Sequence, residues 1–112
     1  MSEENKRIST IYHKLNPDDI DDILTPDFVG HHPWPGGTWD RESHRRTWTE
    51  HRDIVDTIHE QIAEGDWVAT RFTRSGPWKG KHRELDVMQF KRFVGGQIAE
   101  IWEMYNPKQI ED

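Results

Sequence analysis

The sequence has no cysteine and few aliphatic residues. Without cysteine, disulfide frameworks, thiolate metal sites and cysteine nucleophiles are excluded. No apolar run approaches the roughly 20 residues of a membrane span, and no signal-peptide core follows the charged segment 2–7, so a cytoplasmic protein is expected. Hydrophobic residues make up only 32% of the chain, but six tryptophans, four phenylalanines and two tyrosines indicate a folded core built on large aromatic side chains.

Positive charge is also scarce. The 15 Lys and Arg residues are outnumbered by 21 Asp and Glu residues, so the net charge is −6 at pH 7. Nucleic acid and anionic membranes are therefore poor partners. A length of 112 residues fits a single domain, which we assign to residues 1–112.

The first half of the chain has helical patterns. Apolar residues recur at i, i+3, i+4 and i+7 within residues 2–15, which predicts an amphipathic helix. Pro17 stands at the first position of a second, short helix, and Asp40 caps a third. On the third helix, His44 and Trp48 share a face that we expect to pack inward.

The second half changes to the period of strands. Alternation over residues 54–63, followed by the apolar and aromatic segment 67–73, predicts a hairpin. Further strands are predicted over residues 82–94 and 97–105, after a break that the glycines and proline of residues 75–80 indicate. Helices followed by a strand meander predict an α+β fold and not a parallel α/β sheet.

The order of these elements, together with four local segments, resembles a known family. The segments are residues 27–31, 62–73, 90–93 and 96–102. They resemble the SnoaL-like polyketide cyclase (ester cyclase-like) branch of the NTF2-like superfamily. The resemblance implies an NTF2-like cone, in which N-terminal helices pack on a curved antiparallel sheet of four to six strands around an apolar pocket. It also implies a homodimer formed through the outer face of the sheet.

The same resemblance directs attention to the last strand. The cyclases carry an acid/base Asp four residues after a Trp of this strand, and that position is Asn106 here, after Trp102. An amide cannot take a proton at neutral pH, so another group must act as the base. If Trp102 faces the pocket, as the resemblance implies, Glu100, Met104 and Asn106 share its side of the strand.

Three other residues are candidates for proton transfer. Desolvation in an apolar cone would raise the pKa of Glu100, although an ion pair with Arg71 or Arg92 is the alternative role for this carboxylate. Asp86 shares a face with Met88 on the third strand and is a second candidate base. His31 matches the pocket-rim histidine of the family, and its neighbour His32 would point to the opposite side.

Candidate ligand-binding residues surround these groups. Arg71 could hold a carboxylate or enolate oxygen, and aromatic side chains could form the wall of a pocket for a flat ligand. The residues assigned to ligand binding are Trp34, Arg71, Trp78, Met88, Trp102 and Met104. No cofactor is expected, and the spacing of the histidines does not predict a metal site.

The residues and the resemblance together suggest a cofactor-free acid/base enzyme of the cyclase, isomerase or dehydratase type. Its substrate would be a hydrophobic, polyketide-like small molecule. Two alternatives stay open, because the family's Asp is missing. The chain could be a small-molecule-binding module without catalysis, or a dimerisation domain whose pocket is filled by its own side chains.

Overall fold

Helices open the chain, and strands make up most of its second half. A computed structural model describes residues 2–33 and 37–110. The helices are α1 (Ser2–Tyr12), α2 (Ile20–Ile23) and α3 (Arg41–Glu50), with 3₁₀ turns at Pro17–Asp19 and Pro107–Ile110. The strands are β1 (Leu24–His31), β2 (Thr38–Trp39), β3 (Val55–Glu64), β4 (Trp67–Trp78), β5 (Lys81–Val94) and β6 (Gln97–Tyr105).

Local caps fix where the helical segments begin. The Asn16 side chain accepts a hydrogen bond from the Asp18 backbone N–H, at the start of the 3₁₀ turn that Pro17 opens. The Asp40 carboxylate accepts one from the Ser43 backbone N–H at 2.8 Å, at the start of α3.

The six strands form one sheet in the order β2-β1-β6-β5-β4-β3. Only β1 and β6 run parallel, and the remaining neighbours are antiparallel. The helices pack on one side of this curved, unclosed sheet. The predicted α+β fold is therefore confirmed, with helices packed on a sheet of six strands. The break predicted over residues 75–80 is confirmed at Lys79 and Gly80, and is wrong for residues 75–77, because β4 continues to Trp78.

The two faces of the sheet differ sharply in what they carry. The inner face, against the helices, holds the hydrophobic core, in which Phe28, Val68, Phe93 and Ile98 are all at most 3% exposed. The outer face leaves large apolar side chains in solvent: Val29, Ile62, Trp67, Met88, Phe90, Trp102 and Met104. In residues 2–33 and 37–110 no helix is long and apolar enough to cross a membrane.

Candidate active site

A cavity of about 250 Å³ lies between the inner face of the sheet and helices α1 and α3. Its walls are largely aromatic and include Tyr12, Trp39, Trp48, Trp78 and Tyr105. Groups that can form hydrogen bonds or carry charge also line it: His32, His44, Thr47, His51, Arg74, Arg83 and Glu103. An apolar pocket with a few converging polar groups is the usual form of a small-molecule site.

Arg74 on β4 lines the cavity and holds two carboxylates, those of Glu103, which also lines it, and of Asp56, which does not. Its Nε and Nη2 donate to the two carboxylate oxygens of Asp56 at 2.8 and 3.0 Å. Its Nη1 lies 3.4 Å from Glu103 Oε1, and Gln89 Nε2 donates to the same oxygen at 2.7 Å. The Asp56 side chain is fully buried and that of Glu103 is 4% exposed. Charges this deeply buried need such partners.

Both carboxylates are ionised at neutral pH. Burial by itself would raise the pKa of each carboxyl group. The nearby Arg74 guanidinium outweighs that effect. With hydrogen bonds from His13 to Asp56 and from His32 to Glu103, the pKa of each carboxyl group falls to about 2. Two ionised carboxylates therefore surround one guanidinium, and of the two only Glu103 lines the cavity.

Glu103 also orients an imidazole that lines the cavity. His32 Nδ1 lies 3.0 Å from Glu103 Oε2, and the His32 side chain is only 9% exposed. A carboxylate only accepts hydrogen bonds, so His32 Nδ1 donates to Glu103. Nε2 is buried and has no hydrogen-bond partner among the described residues. This dyad has the geometry of a general base supported by a carboxylate.

A second polar pair lies at the helix side of the cavity. His44 Nδ1 is 3.3 Å from the Asp40 carbonyl oxygen, and His44 Nε2 is 3.3 Å from the Tyr12 hydroxyl. The carbonyl can only accept, so Tyr12 donates to His44 Nε2. Burial lowers the pKa of His44 to about 4 and raises that of Tyr12, so both groups are neutral at pH 7. In the described part of the chain, no three His, Asp or Glu side chains are placed to hold a metal ion.

The structure places the predicted base His31 on the outer face of the sheet. Its Nε2 lies 2.6 Å from Glu100 Oε2, and its ring stacks on Trp102 at a centroid distance of 5.1 Å. Arg92 also pairs with Glu100 at 3.1 Å, and these contacts lower the pKa of Glu100 instead of raising it. The prediction that Glu100 faces the pocket is wrong, and the ion-pair alternative with Arg92 is the arrangement observed.

Three further predicted groups also lie outside the cavity. Asp86 is exposed and accepts a hydrogen bond from Gln109 Nε2 at 3.2 Å. Asn106 is exposed and its side chain accepts from the Lys108 backbone N–H, which caps the last 3₁₀ turn. Arg71 is exposed and pairs with Glu60 at 2.8 Å.

Most of the predicted ligand-binding side chains are on the outer face as well. Met88, Trp102 and Met104 are 62%, 37% and 65% exposed. Trp78 is an exception and lines the cavity. Trp34 lies outside the described residues.

The predicted faces are inverted because Trp102, which the resemblance placed toward the pocket, faces outward, and a bulge in β6 sets this orientation relative to the start of the strand. Phe93 pairs with Ile98 and Arg92 pairs with Glu100, so Ala99 is an extra residue in the strand. Ile98 and Ile101 consequently both enter the core, and the alternation counted from Ile98 is reversed beyond the bulge. Glu103, not Trp102, then faces inward.

The structure therefore brings together residues that the sequence patterns did not single out. Arg74, Glu103, Tyr12 and Asp56 carry no motif, and each meets the others only through the sheet register and the packing of α1. Of the cavity's polar groups, His32 was named only as the neighbour of the candidate His31, and His44 was expected only to pack inward. The useful signal was the rule that His31 and His32 point to opposite sides.

Known proteins share this architecture. A profile of the SnoaL-like domain matches residues 6–101. No curated protein matches. Among solved structures, wild-type IdmH from Streptomyces antibioticus, provisionally described as a polyketide cyclase, is 25% identical over 96% of this chain and 94% of its own, with a TM-score of 0.74.

Two more distant structures share the fold. A protein from Bacillus cereus, also provisionally described as a polyketide cyclase, is 16% identical over 96% of this chain and 77% of its own, with a TM-score of 0.81. A protein from Kribbella flavida, provisionally described as a ketosteroid isomerase, is 16% identical over 94% of this chain and 79% of its own, with a TM-score of 0.77.

Proposed function

Because the chain belongs to the SnoaL-like family of NTF2-like proteins, we propose that it is a cofactor-free enzyme that removes a proton next to a carbonyl group. The observation that supports this most directly is the His32–Glu103 dyad at the cavity, whose Nε2 is buried and without a partner in the described residues. Cyclisation, isomerisation and dehydration can all begin with this step.

In the proposed reaction, His32 Nε2 takes the proton from the carbon acid. The resulting imidazolium lies against the Glu103 carboxylate, which stabilises it. The electrons of the broken C–H bond move onto the carbonyl oxygen and form an enolate. Arg74 has five N–H groups, and three of them contact Asp56 and Glu103. The remaining two can stabilise the enolate oxygen.

The dimensions and lining of the cavity define the class of substrate. A volume of about 250 Å³ is slightly below the range of roughly 300–1,000 Å³ that is common for ligand pockets. The aromatic walls favour a flat, apolar ring system. The carboxylates of Asp56 and Glu103 and the guanidinium of Arg74 give this group one net negative charge, so a negatively charged ligand is disfavoured beside it. We therefore infer a monocyclic or bicyclic enolisable ketone as the substrate.

The first prediction tests this function directly. His32→Gln keeps a hydrogen-bond donor toward Glu103 but removes the base, so deuterium exchange at the α-carbon of 2-tetralone should slow by at least about a hundredfold. The exchange is followed by NMR in D₂O, and ligand binding is followed by the fluorescence of the cavity tryptophans. His59→Gln, which removes an exposed imidazole on β3, is the matched control and should exchange like the wild type.

The alternatives give different results in the same experiment. A binding module without catalysis would bind 2-tetralone but show no exchange above the buffer rate in any variant. A dimerisation domain with a filled pocket would not bind it. The described residues leave a cavity of about 250 Å³, which favours the enzyme and the binding module over a dimerisation domain with a filled pocket.

We also propose that the chain forms a homodimer through the outer face of the sheet. We define the outer patch as Trp67, Met88, Phe90, Trp102 and Met104, each at least 37% exposed. The strand register places Met88 beside Met104 and Phe90 beside Trp102, so the patch is contiguous across β5 and β6. A contiguous exposed apolar surface is typical of a protein interface.

The second prediction concerns this assembly. Phe90→Lys with Met104→Lys would place two charges in the centre of the patch and should convert a dimer of twice the 13.4 kDa chain mass into a monomer. Light scattering after size exclusion gives the mass. Glu50→Lys, exposed at the end of α3, is the control. A wild-type protein that runs as a monomer at high micromolar concentration would contradict the proposal.

A further inference from the structure

Arg83 lines the same cavity as His32 but takes no part in the proposed reaction. It lies on β5 opposite Gly76 of β4 and is partly buried. Its Nε donates a hydrogen bond to the backbone carbonyl oxygen of Trp78 at 3.0 Å, which ties the side chain to the end of β4. Trp78 also lines the cavity and is 41% exposed. This part of the cavity therefore combines a cation with an indole ring that reaches solvent.

The strand register separates Arg83 from the His32–Glu103 dyad. Glu103 pairs with Gln89 on β5, and Arg83 is six residues from Gln89 along the same strand. At a rise of about 3.3 Å per residue, the backbones of Gln89 and Arg83 lie roughly 20 Å apart. Glu103 and Arg83 nevertheless line one cavity. The dyad and Arg83 therefore lie toward opposite ends of it.

The two ends differ in charge. At the dyad, the carboxylates of Asp56 and Glu103 outnumber the guanidinium that holds them. At the other end, residues 79–83 include three Lys or Arg and no Asp or Glu, although the whole chain has a net charge of −6. Glu84 comes next, but it alternates to the other face of β5, where it lies 3.9 Å from His82. An anionic group on a ligand is therefore attracted to the Arg83 end and repelled from the dyad.

We propose that Arg83 is a specificity-determining residue that binds a carboxylate group of the substrate, at the end of the molecule away from the carbon that loses its proton. This inference rests on the proposed function and narrows its substrate class to an enolisable ketone that carries a carboxylate. A guanidinium pairs with a carboxylate through charge-assisted hydrogen bonds. The negative charge at the dyad disfavours the reversed orientation, so the same contact directs the ketone toward His32.

The test compares 2-tetralone-6-carboxylate with its methyl ester, which has the same ring system and no charge. In the wild type, the KM for deuterium exchange of the carboxylate should be at least about tenfold below that of the ester. Arg83→Met should raise the KM of the carboxylate to that of the ester and leave the KM of the ester and both kcat values unchanged. Arg83→Lys keeps the charge without the planar donor group and should give an intermediate KM. Arg46→Met, which removes an exposed cation of α3, is the matched control and should behave like the wild type.

Binding measurements separate this inference from the proposed function. Quenching of tryptophan fluorescence gives the Kd of each ligand whether or not the protein catalyses exchange. If the wild type binds both ligands and exchanges neither, the proposed function fails, and the ratio of the two Kd values still tests Arg83. That ratio is measured on the wild type, so it does not depend on the folding of a variant. A wild type that binds the carboxylate no more tightly than the ester, or an unchanged carboxylate Kd in Arg83→Met, would overturn the proposal.

Discussion

Replacing Arg74 by methionine is expected to lower the free energy of unfolding by about 3–5 kcal/mol at pH 7, because it leaves two buried carboxylates without their cation. Asp56 and Glu103 are at most 4% exposed, and Arg74 contacts both. Their ionised forms depend on the guanidinium, which outweighs the cost of burial. Urea denaturation followed by tryptophan fluorescence measures the change.

Arg71→Met is the matched control for this prediction. Arg71 is on the same strand and also pairs with a carboxylate of β3, but it faces outward, with 54% of its side chain and 67% of the Glu60 side chain exposed. Exposed pairs of this kind contribute about 0–1 kcal/mol. Equal losses in the two variants would show that the buried location of the Arg74 cluster does not matter. The Arg74 effect should also shrink near pH 3, where the orphaned carboxylates can be protonated.

Much of the fold could be predicted because its signals are local. The caps at Asn16 and Asp40 set the starts of helical segments, and the strand predicted over residues 97–105 is observed over the same residues. The break predicted near Gly76 was wrong for a physical reason. A Cβ on Gly76 would lie 2.6 Å from Ile54 Cδ1, so the glycine permits close packing within a strand and does not mark a turn.

The site could not be predicted in the same way, because its face of the sheet violates the rule that apolar side chains point inward. On β5, Gln89 and Lys91 are buried while Met88 and Phe90 are exposed. The Ala99 bulge also reverses which residues of β6 face inward, and the alternation of residue types along the strand does not reveal this reversal. A buried charge network on one face and an exposed apolar patch on the other together produce the reverse of the usual pattern.

That reversal has a functional consequence in the proposed enzyme. Polar groups on the inner face can be held in fixed orientations by one another, as His32 is by Glu103 and Glu103 is by Arg74 and Gln89. Such fixed groups favour catalysis because they need little reorganisation when charge develops. The cost is a core whose stability depends on the protonation state of several buried groups.

Stability is therefore expected to fall steeply as the pH drops from about 6.5 to about 4. Burial lowers the pKa of His13 to about 3 and that of His44 to about 4, from an ordinary value of 6.5. In this window both imidazoles are neutral in the folded protein and protonated in the unfolded chain. The unfolded state binds more protons, so each histidine lowers stability by about 1.4 kcal/mol for each unit by which the pH falls, and the pair by about 2.8 kcal/mol.

The slope of unfolding free energy against pH tests this directly. His44→Phe keeps an aromatic ring against Phe28 and Trp48 but removes one titrating group, so the slope between pH 4.5 and pH 6 should fall by about half. His59→Gln removes an exposed imidazole and should leave the slope unchanged. Below about pH 4.5, Asp56 and Glu103 also lower stability as the pH falls. Their ionised forms stabilise the fold, and this contribution is lost as they are protonated near pH 2. An unaltered slope in His44→Phe would mean that the folded protein takes up a proton at His44 as readily as the unfolded chain does.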